Sequence, residues 1–421
     1  MIPLDWGEGE IPHKPIRFPK RNSSLTSSTT PVFFLQAPPR VTRYSLGILI
    51  AAILLPVVAL AHGQSPADAM SFEQQQKWSE AAEAWKAVTA RNPSDAAAFA
   101  ALGVDLARLQ KYDEAAAAYR KALKLNPKLP GMQLNLGLAE FKQGHFSAAA
   151  TALRAVLATD PNNAQARTLL GMSYYGERKF DLAAQYLGPA SKADPANAEL
   201  HQMLAQSCLL AKKLNCALEE FRLLLQQSPD SAPTHVLMGQ ALDGLGKTPE
   251  AITEFETAAR IAPKEPSVHF GLGYLYWKSQ RYDEARKEFE LELQADPQHA
   301  QSLAYLGDVE WKSDHRDAAL SLLQRAIQAS PDIRIAYLDL GAIYIADKNY
   351  REAEAVLLKA VKLDPNQPDA HYQLSRLYQT SGRKSEAERE LRKVRELREK
   401  ADQEAADKIP ASSDAKPAED K

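Results

Sequence analysis

The sequence predicts an all-α protein made of stacked pairs of helices, and three sets of residues that recur in phase predict it. Along the 421-residue chain each set repeats every 34 residues. Fixed periods of about 20 to 50 residues are typical of proteins that stack one small unit many times. The sets are proline at 93, 127, 161, 195, 229, 263, 297, 331 and 365, alanine at 81, 115, 149, 183, 217, 251, 285, 319, 353 and 387, and a large apolar residue before a small one, from Leu102-Gly103 to Leu374-Ser375.

One unit consists of two helices joined by a short turn. In the clearest copy the helices are FAALGVDLARLQ and DEAAAAYRKALKLN, with the turn near Gln110 to Tyr112. Gly103 and Ala115 are small where we expect the two backbones to approach most closely. Pro127 ends the second helix, because the residue before a proline is pushed out of the α conformation. Since one pair cannot bury its apolar face alone, the units are expected to stack.

A short polar residue recurs near the start of the second helices. Such side chains accept hydrogen bonds from the free backbone amides of a helix N-terminus. We therefore expect them to cap the second helices. The residues are Asp113, Ser147, Asp181, Asn215, Asp283, Asp317 and Ser385.

The repeat resembles the tetratricopeptide repeat over roughly residues 65 to 400. The resemblance implies a right-handed α-solenoid of stacked helix-turn-helix units. The first helices would line a concave groove, and the second helices would form the outer face. The family pattern is matched by Phe99, Leu102-Gly103, Leu106, Ala115, Tyr119, Ala122 and Pro127.

The repeat frame divides the chain into five segments. Residues 1–45 are interpreted as a disordered extension or as the product of a mis-called start, with Val41 as the alternative start. Residues 46–63 form a signal peptide or a membrane anchor, and 64–95 form a degenerate capping repeat. Residues 96–404 hold nine repeats with a C-terminal capping helix, and 405–421 form a disordered tail.

The apolar segment before the repeats has the pattern of a secretory signal. Residues 46–61 are uncharged, follow Arg40 and Arg43, and end in Ala59-Leu60-Ala61. A basic flank, an apolar stretch and small residues at a cleavage site define a signal peptide. A retained membrane anchor is the alternative, although Pro56 weakens a spanning helix. We expect an exported, periplasmic or secreted protein of bacterial type, or else one anchored to the inner membrane through 46–61 and facing the periplasm.

Three departures from the repeat lead to specific expectations. Pro189 lies inside a second helix, which it should kink or shorten. Glu292 replaces an apolar residue, and we expect it to reach solvent or to pair with a basic side chain. Cys208 and Cys216 straddle one turn, but Cys216 replaces a residue that normally points outward, so we expect no disulfide between them.

Composition and motifs disfavour several functions. A net charge of −2 gives no basic surface for nucleic acid. His201, His235, His269 and His371 occupy one repeat position, too far apart to share a zinc ion, and are interpreted as partly buried packing residues. The clamp of Lys and Asn residues by which some family members grip a terminal carboxylate is not reproduced. No catalytic motif is present, so we predict neither a cofactor nor enzymatic activity, and no pattern defines the oligomeric state.

In the family frame, the groove-facing residues of the first helices form the candidate binding site. Trp277-Lys278 and Trp311-Lys312 are one repeat apart, so their indoles are expected to form a stacked aromatic wall beside two ammonium groups. Sealing of contacts between units is the equally weighted alternative. The main site comprises Phe270, Tyr274, Trp277, Lys278, Tyr305, Trp311 and Lys312. Secondary groove residues are Phe141, Met172, Tyr175, Met203, Leu338 and Ile345.

These observations favour a non-enzymatic scaffold that binds a protein or peptide segment in the groove. A periplasmic factor for polysaccharide export or assembly is the second hypothesis, because indole rings also bind sugar faces. An assembly factor anchored in the inner membrane is the third.

Overall fold

The computed structural model describes residues 65–265 and 267–407, and within these residues all regular structure is α-helical. They fall into two compact units, with the boundary after Pro161. The first unit contains α1 (Pro66–Gln74), α2 (Trp78–Arg91), α3 (Ala96–Arg108), α4 (Tyr112–Leu125), α5 (Met132–Lys142) and α6 (Phe146–Thr159).

The second unit continues the same pattern of alternating first and second helices. It contains α7 (Ala164–Gly176), α8 (Phe180–Ala193), α9 (Ala198–Leu210), α10 (Leu214–Gln227), α11 (Ala232–Gly244), α12 (Thr248–Ile261), α13 (Val268–Lys278), α14 (Tyr282–Ala295), α15 (Ala300–Lys312), α16 (Arg316–Ala329), α17 (Arg334–Ala346), α18 (Tyr350–Leu363), α19 (Pro368–Thr380) and α20 (Lys384–Asp407).

Within each unit the helices stack as two-helix repeats, which confirms the predicted all-α fold class. Each first helix packs against the second helix of its own repeat, and that second helix packs against the first helix of the next repeat, as in α13, α14 and α15. First helices of neighbouring repeats also contact each other directly, α13 with α15, α15 with α17, and α17 with α19. This row of first helices forms one continuous face.

Tight packing between the paired helices explains the small residues of the first helices. A Cβ atom added to Gly103 would lie 2.5 Å from Cε1 of Tyr119, and one added to Gly273 would lie 2.8 Å from Cδ1 of Phe289. Real atoms do not approach so closely, so a larger residue would force the helices apart.

The turn inside each repeat needs a left-handed backbone conformation at one position. Gln110 occupies this position in one repeat of the first unit, with φ of 61°, and Gln280 occupies it in one repeat of the second unit, with φ of 60°. Glycine adopts this conformation at little cost, and it occupies the same position at Gly144 and Gly246. The turn geometry is therefore constant while the residue type varies.

The predicted caps of the second helices are wrong. The helix α4 begins at Tyr112, and its N-cap residue Lys111 makes no side-chain cap bond. Asp113 therefore lies inside the first turn, where its charge still favours the positive end of the helix dipole. Side-chain caps occur instead on first helices, where Asp95 accepts from the amide of Ala98.

The repeated histidines tie the start of a first helix to its surroundings, which confirms their interpretation as packing residues. The Nδ1 atom of His235 lies 2.6 Å from the Glu254 carboxylate, and its Nε2 atom lies 2.9 Å from the carbonyl oxygen of Pro229. The imidazole of His235 is thus held by a side chain and by the turn before it, and those of His201 and His269 are held in the same way. Equivalent His–Glu pairs are His201–Glu220, His269–Glu288 and His371–Glu390.

Pro189 does not shorten its helix, and the alternative expectation of a kink stays a prediction. The helix α8 runs for 14 residues, as long as α4 and α6. The residue before a proline normally clashes with the ring through its own Cβ atom. Here that residue is Gly188, which has no Cβ.

Glu292 also departs from its prediction. Its side chain is buried, with 8% exposure, and Oε2 accepts a hydrogen bond from the backbone amide of Phe270 at 3.0 Å. Phe270 is in the first turn of α13, and the N-cap residue of that helix, Ser267, supplies no side-chain bond. Glu292 therefore neither reaches solvent nor forms the expected ion pair, because it caps α13 from the neighbouring helix.

Cys208 and Cys216 form a disulfide, contrary to the sequence-based expectation. Cys208 is in the last turn of α9 and Cys216 is in the first turn of α10, with Cα atoms 5.8 Å apart. Because the turn folds these two helix ends against each other, Cys216 faces α9 instead of solvent.

The first and last helices of the described residues can be compared with the predicted segment boundaries. The helix α20 continues to Asp407, three residues past the predicted boundary at 404. At the other end α1 has nine residues, against 13 in α3. Residues 1–64 and 408–421, with the predicted extension, signal and most of the tail, lie outside the described residues. Within the described residues, no helix combines the length and apolar character needed to span a membrane.

Candidate binding groove

The face formed by α13, α15, α17 and α19 contains most of the residues that the sequence predicts to bind a partner. Counting repeat positions from Ala96 as position 1, Trp277 and Trp311 both occupy position 12. The groove positions differ strongly in exposure. Trp277, Tyr305 and Trp311 are half-buried, whereas Phe270 and Tyr274 are buried.

An interlocked aromatic cluster spans α13, α14 and α15. The Trp277 ring stacks on Tyr274 at 5.7 Å and meets Tyr305 edge-on at 4.9 Å. Phe289, from the second helix α14, stacks beneath Tyr305 at 5.9 Å. Such offset and edge-on pairs are the favoured arrangements of aromatic rings. The cluster therefore holds its half-buried rings in fixed positions.

The expected wall of two stacked tryptophans does not form. The ring partners of Trp277 in the described part of the chain are Tyr274 and Tyr305. Trp311 packs instead against a core cluster that includes Leu323 and Leu340. Equivalent repeat positions lie a full helix spacing apart, about 8 to 10 Å, and Tyr305 from α15 contacts the Trp277 ring in place of Trp311.

Asp308 is the polar centre of the cluster. It is only 4% exposed, and its Oδ2 atom accepts hydrogen bonds from Nε1 of Trp277 and from Nζ of Lys312. The same ammonium group lies 4.8 Å from the centre of the Trp277 ring. A carboxylate and an aromatic face thus hold one cation together, an arrangement in which both contacts are favourable.

Lys278 is not a free ammonium group at the groove. Its Nζ atom lies 2.7 Å from Oδ1 of Asp243 on α11, and both side chains are mostly buried. This ion pair joins first helices of consecutive repeats. Of the two lysines predicted at the site, only Lys312 retains substantial exposure, 36% of its side chain.

The secondary residues also divide by exposure. Phe141, Met203 and Ile345 are buried and act in packing. Met172, Tyr175 and Leu338 are half-buried. The Tyr175 hydroxyl donates to Oε1 of Gln206 at 2.7 Å, so it links α7 to α9.

Three further groove residues were missed by the sequence analysis: Asp308, Asp339 and Tyr372. Tyr372 is 47% exposed on α19 and occupies the same repeat position as Leu338. Asp308 could have been found from its spacing of four residues to Lys312, which places both on one helix face. No sequence signal marked Asp339.

Asp339 lies in an unfavourable environment for a charged carboxylate. Burial raises the pKa of Asp339 well above its usual range, and the nearby Asp308 carboxylate adds to this effect. Burial likewise raises the pKa of the Tyr305 hydroxyl, with further contributions from Tyr274, Asp308 and Asp339. The two carboxylates and the phenol therefore share one corner of the groove.

Within residues 65–265 and 267–407, no group of three His, Cys, Asp or Glu side chains is arranged to hold a metal ion. The polar groups of the groove instead form pairs between neighbouring helices. This arrangement suits recognition of a polypeptide surface.

Comparisons with known structures return many matches of low identity. One is the APC/C hetero-tetramer Cut9-Hcn1, at 15% identity, covering 78% of this chain and 79% of that chain with a TM-score of 0.48. Another is YrrB, described as a TPR protein with an unusual peptide-binding site, at 22% identity, covering 43% and 93% with a TM-score of 0.35. A third is the C-terminal part of a TPR repeat-containing protein from Cytophaga hutchinsonii, at 16% identity, covering 56% and 98% with a TM-score of 0.44.

No curated protein sequence matches the chain. Profiles of protein families do match it, under the description tetratricopeptide repeat. One such profile matches residues 67–130, 168–232, 236–300 and 306–368, and a second matches 106–172 and 344–407. These ranges cover more than half of the chain and agree with the 34-residue period and the paired helices. The chain belongs to the tetratricopeptide repeat family.

Proposed function

We propose that this protein is a non-enzymatic scaffold that binds a peptide or protein segment in the groove formed by α13, α15 and α17. Proteins built from tetratricopeptide repeats are generally interaction scaffolds, and extended repeat surfaces suit binding of long segments. The finer assignment to this groove depends on the chemistry of its side chains, since the fold alone does not define a partner.

The aromatic cluster around Trp277 is the observation that carries the proposal. Within this cluster Trp277 and Tyr305 are half-buried, so these two rings offer some apolar surface to a partner while Tyr274 and Phe289 pack behind them. Asp308 fixes the indole through Nε1. Aromatic side chains held in place before binding lose little conformational entropy on binding, and they most often contribute large binding energies.

Sealing of neighbouring repeats is the competing role for these residues. Phe270 and Tyr274 fit that role because they are buried. Trp277, Tyr305 and Trp311 each keep part of their surface exposed, which packing between repeats alone does not require of a large aromatic side chain. The glycan hypothesis loses its main support, since the indoles do not stack on each other.

The experiment measures binding of the full chain to an array of random-sequence peptides. Trp277→Ala and Tyr305→Ala are each expected to weaken binding about tenfold or more, the effect of losing a central aromatic contact. Trp277→Phe keeps a ring but loses the bond to Asp308, and a smaller loss is expected. Circular dichroism establishes that each variant remains folded.

Phe141→Ala is the matched control, because Phe141 occupies the same repeat position in the first unit and is buried. It should leave peptide binding unchanged. Equal losses for Phe141→Ala and Trp277→Ala would contradict the assignment to this groove, as would wild-type binding in both Trp277 and Tyr305 variants. If the chain instead bound glycans, and Trp277→Ala and Tyr305→Ala weakened that binding, the result would favour the hypothesis of polysaccharide export or assembly over peptide binding.

Export of the protein remains a proposal as well, supported by the Cys208–Cys216 disulfide. Disulfides persist mainly in oxidising compartments outside the cytoplasm. Alkylation of the protein isolated from its source cells should label neither cysteine before reduction and both after it. Labelling of both cysteines before reduction would contradict export. The mass of the same sample tests removal of residues 1–61, and retention of 46–61 would favour the membrane-anchored alternative.

A further inference from the structure

The charges of the groove do not balance. Each of the helices α13, α15 and α17 carries a single Lys or Arg, and every one of these is already paired. Lys278 binds Asp243 at 2.7 Å, Lys312 binds Asp308, and Nη1 of Arg334 lies 3.0 Å from Oδ2 of Asp369.

The acids on the same three helices are Asp308, Glu310 and Asp339. Asp308 has its two donors, and Glu310 accepts from Arg286 and pairs with His315. Asp339 has no ion pair among the described residues, and its Oδ2 atom is buried without a hydrogen-bond partner there. The side chain as a whole is nevertheless partly exposed at the groove.

Lys312 shows which chemistry this corner of the groove accepts. Its ammonium group bonds to Asp308 and lies 4.8 Å from the Trp277 ring and 5.5 Å from the Tyr282 ring. The site therefore already binds one primary amine, supplied by the chain itself. The ammonium group of Lys312 is bonded to Asp308 and only influences Asp339 electrostatically, so a second cation could still pair with Asp339.

We propose that the segment bound in this groove carries a Lys or Arg side chain that pairs with Asp339, next to the site occupied by Lys312. This inference depends on the proposed function and names the chemistry of the partner. A buried carboxyl without a donor is costly, and a cation from the partner supplies the missing donor. Charge complementarity of this kind sets specificity more than overall affinity.

Binding of the cation should be linked to release of a proton. The groups that face Asp339 are Asp308, Lys312 and Tyr305 from α15, and Asp369 from α19. Burial and Asp308 raise the pKa of Asp339, whereas Lys312 opposes them. The free carboxyl therefore tends to hold a proton, which it loses when a cation arrives. Affinity for a basic peptide should then rise with pH.

The test uses matched pairs of peptides from the same random-sequence array, in which each Lys is replaced by norleucine, a neutral side chain of similar length. The full wild-type chain should bind the Lys member about tenfold more tightly than its partner. Asp339→Asn should bind both members equally. Asp317→Asn removes an equal charge from an exposed site on α16 and should retain the preference.

The outcomes separate this inference from the function on which it depends. Sensitivity to Trp277→Ala without any preference for Lys would overturn the inference and leave the peptide-binding function in place. A preference for Lys that persists in Asp339→Asn would also overturn it. Binding insensitive to Trp277→Ala, or the absence of peptide binding, would overturn both. In wild type, the preference for Lys should strengthen as pH rises, because the Asp339 carboxyl then loses its proton more readily, and in Asp339→Asn it should be absent throughout.

Discussion

Two buried aspartates, Asp105 in the first unit and Asp308 in the second, differ by one repeat position and have opposite environments. Asp308 occupies position 9 and receives hydrogen bonds from Trp277 and Lys312. Asp105 occupies position 10 and is 1% exposed, and its polar neighbour is another acid, the Glu73 carboxyl, so no N–H group or hydroxyl of the described residues donates to it. One residue along a helix is a rotation of about 100°. That rotation separates a carboxylate at the groove from one inside the core.

The neighbours of Asp105 increase the contrast. Burial and, to a smaller extent, the nearby Glu73 carboxyl raise its pKa to about 7. Arg108 lies over the Trp78 ring, at 4.1 Å, and lowers the pKa of Asp105 only partly. Of the eight other repeats, four have a small residue at position 10, such as Ser173, and four have a large apolar one, such as Leu275. The Ser173 hydroxyl donates to the carbonyl oxygen of Leu169 at 2.7 Å. None of these residues requires a donor from its surroundings, as a carboxylate does.

The largest effect on stability is expected from Asp308→Ala. The change leaves Nε1 of Trp277 without its acceptor and the Lys312 ammonium group without its counter-ion. Loss of a buried charged acceptor costs about 2 to 3 kcal/mol of unfolding free energy, reduced somewhat here because Lys312 reaches solvent. Urea denaturation of the full chain, followed by circular dichroism, measures the loss. An unchanged midpoint would show that Asp308 does not hold the cluster together.

Asp105→Ser should have the opposite sign. It replaces a carboxyl that lacks a donor with serine, the residue that another repeat has at this position, Ser173. The free energy of unfolding of the first unit should therefore rise by about 1 to 2 kcal/mol near pH 8. Hydrogen exchange of the α3 amides reports this gain locally. Destabilisation would mean that Asp105 has an unrecognised partner and that the contrast with Asp308 is wrong.

The pH dependence of the first unit sharpens the same comparison. The folded-state pKa of Asp105, about 7, lies above the unfolded value of about 4. The folded protein therefore holds a proton that the unfolded chain releases in this window, and stability falls as pH rises from about 4 to 7. In Asp105→Ser this fall should be smaller. An identical pH profile in the variant would contradict a raised pKa at Asp105.

Glu292 provides an intermediate case, a buried carboxylate whose donor is a single backbone amide. Glu292→Leu restores the apolar character of that repeat position but removes the bond to the amide of Phe270. We expect a loss of about 1 kcal/mol, typical of a lost helix cap. Faster hydrogen exchange at Phe270, without change in α3, is the measurement. Slower exchange would show that the carboxylate is a net cost.

Much of the fold could be predicted from the sequence, because packing imposes the same small residues and prolines on every repeat. The site was less predictable, since exposure depends on how much of each ring the next helix covers. Phe270 and Trp277 are both aromatic residues on the groove side, yet Phe289 and Tyr305 cover Phe270. The Glu292 cap and the Cys208–Cys216 pair depend on contacts between helices, which a repeat frame does not specify.

The smallest expected effect tests whether the turn inside the repeat has the same backbone conformation and the same conformational cost in both units, although their groove residues differ. Gln110 and Gln280 occupy the same turn position, both with left-handed backbone. A side chain in that conformation costs about 1 kcal/mol, and glycine removes most of the cost while adding unfolded-state entropy. Gln110→Gly and Gln280→Gly should therefore each stabilise the protein by about 0.5 kcal/mol, and by equal amounts. Unequal gains, measured by urea denaturation, would mean that the groove side chains of the second unit also strain its turns.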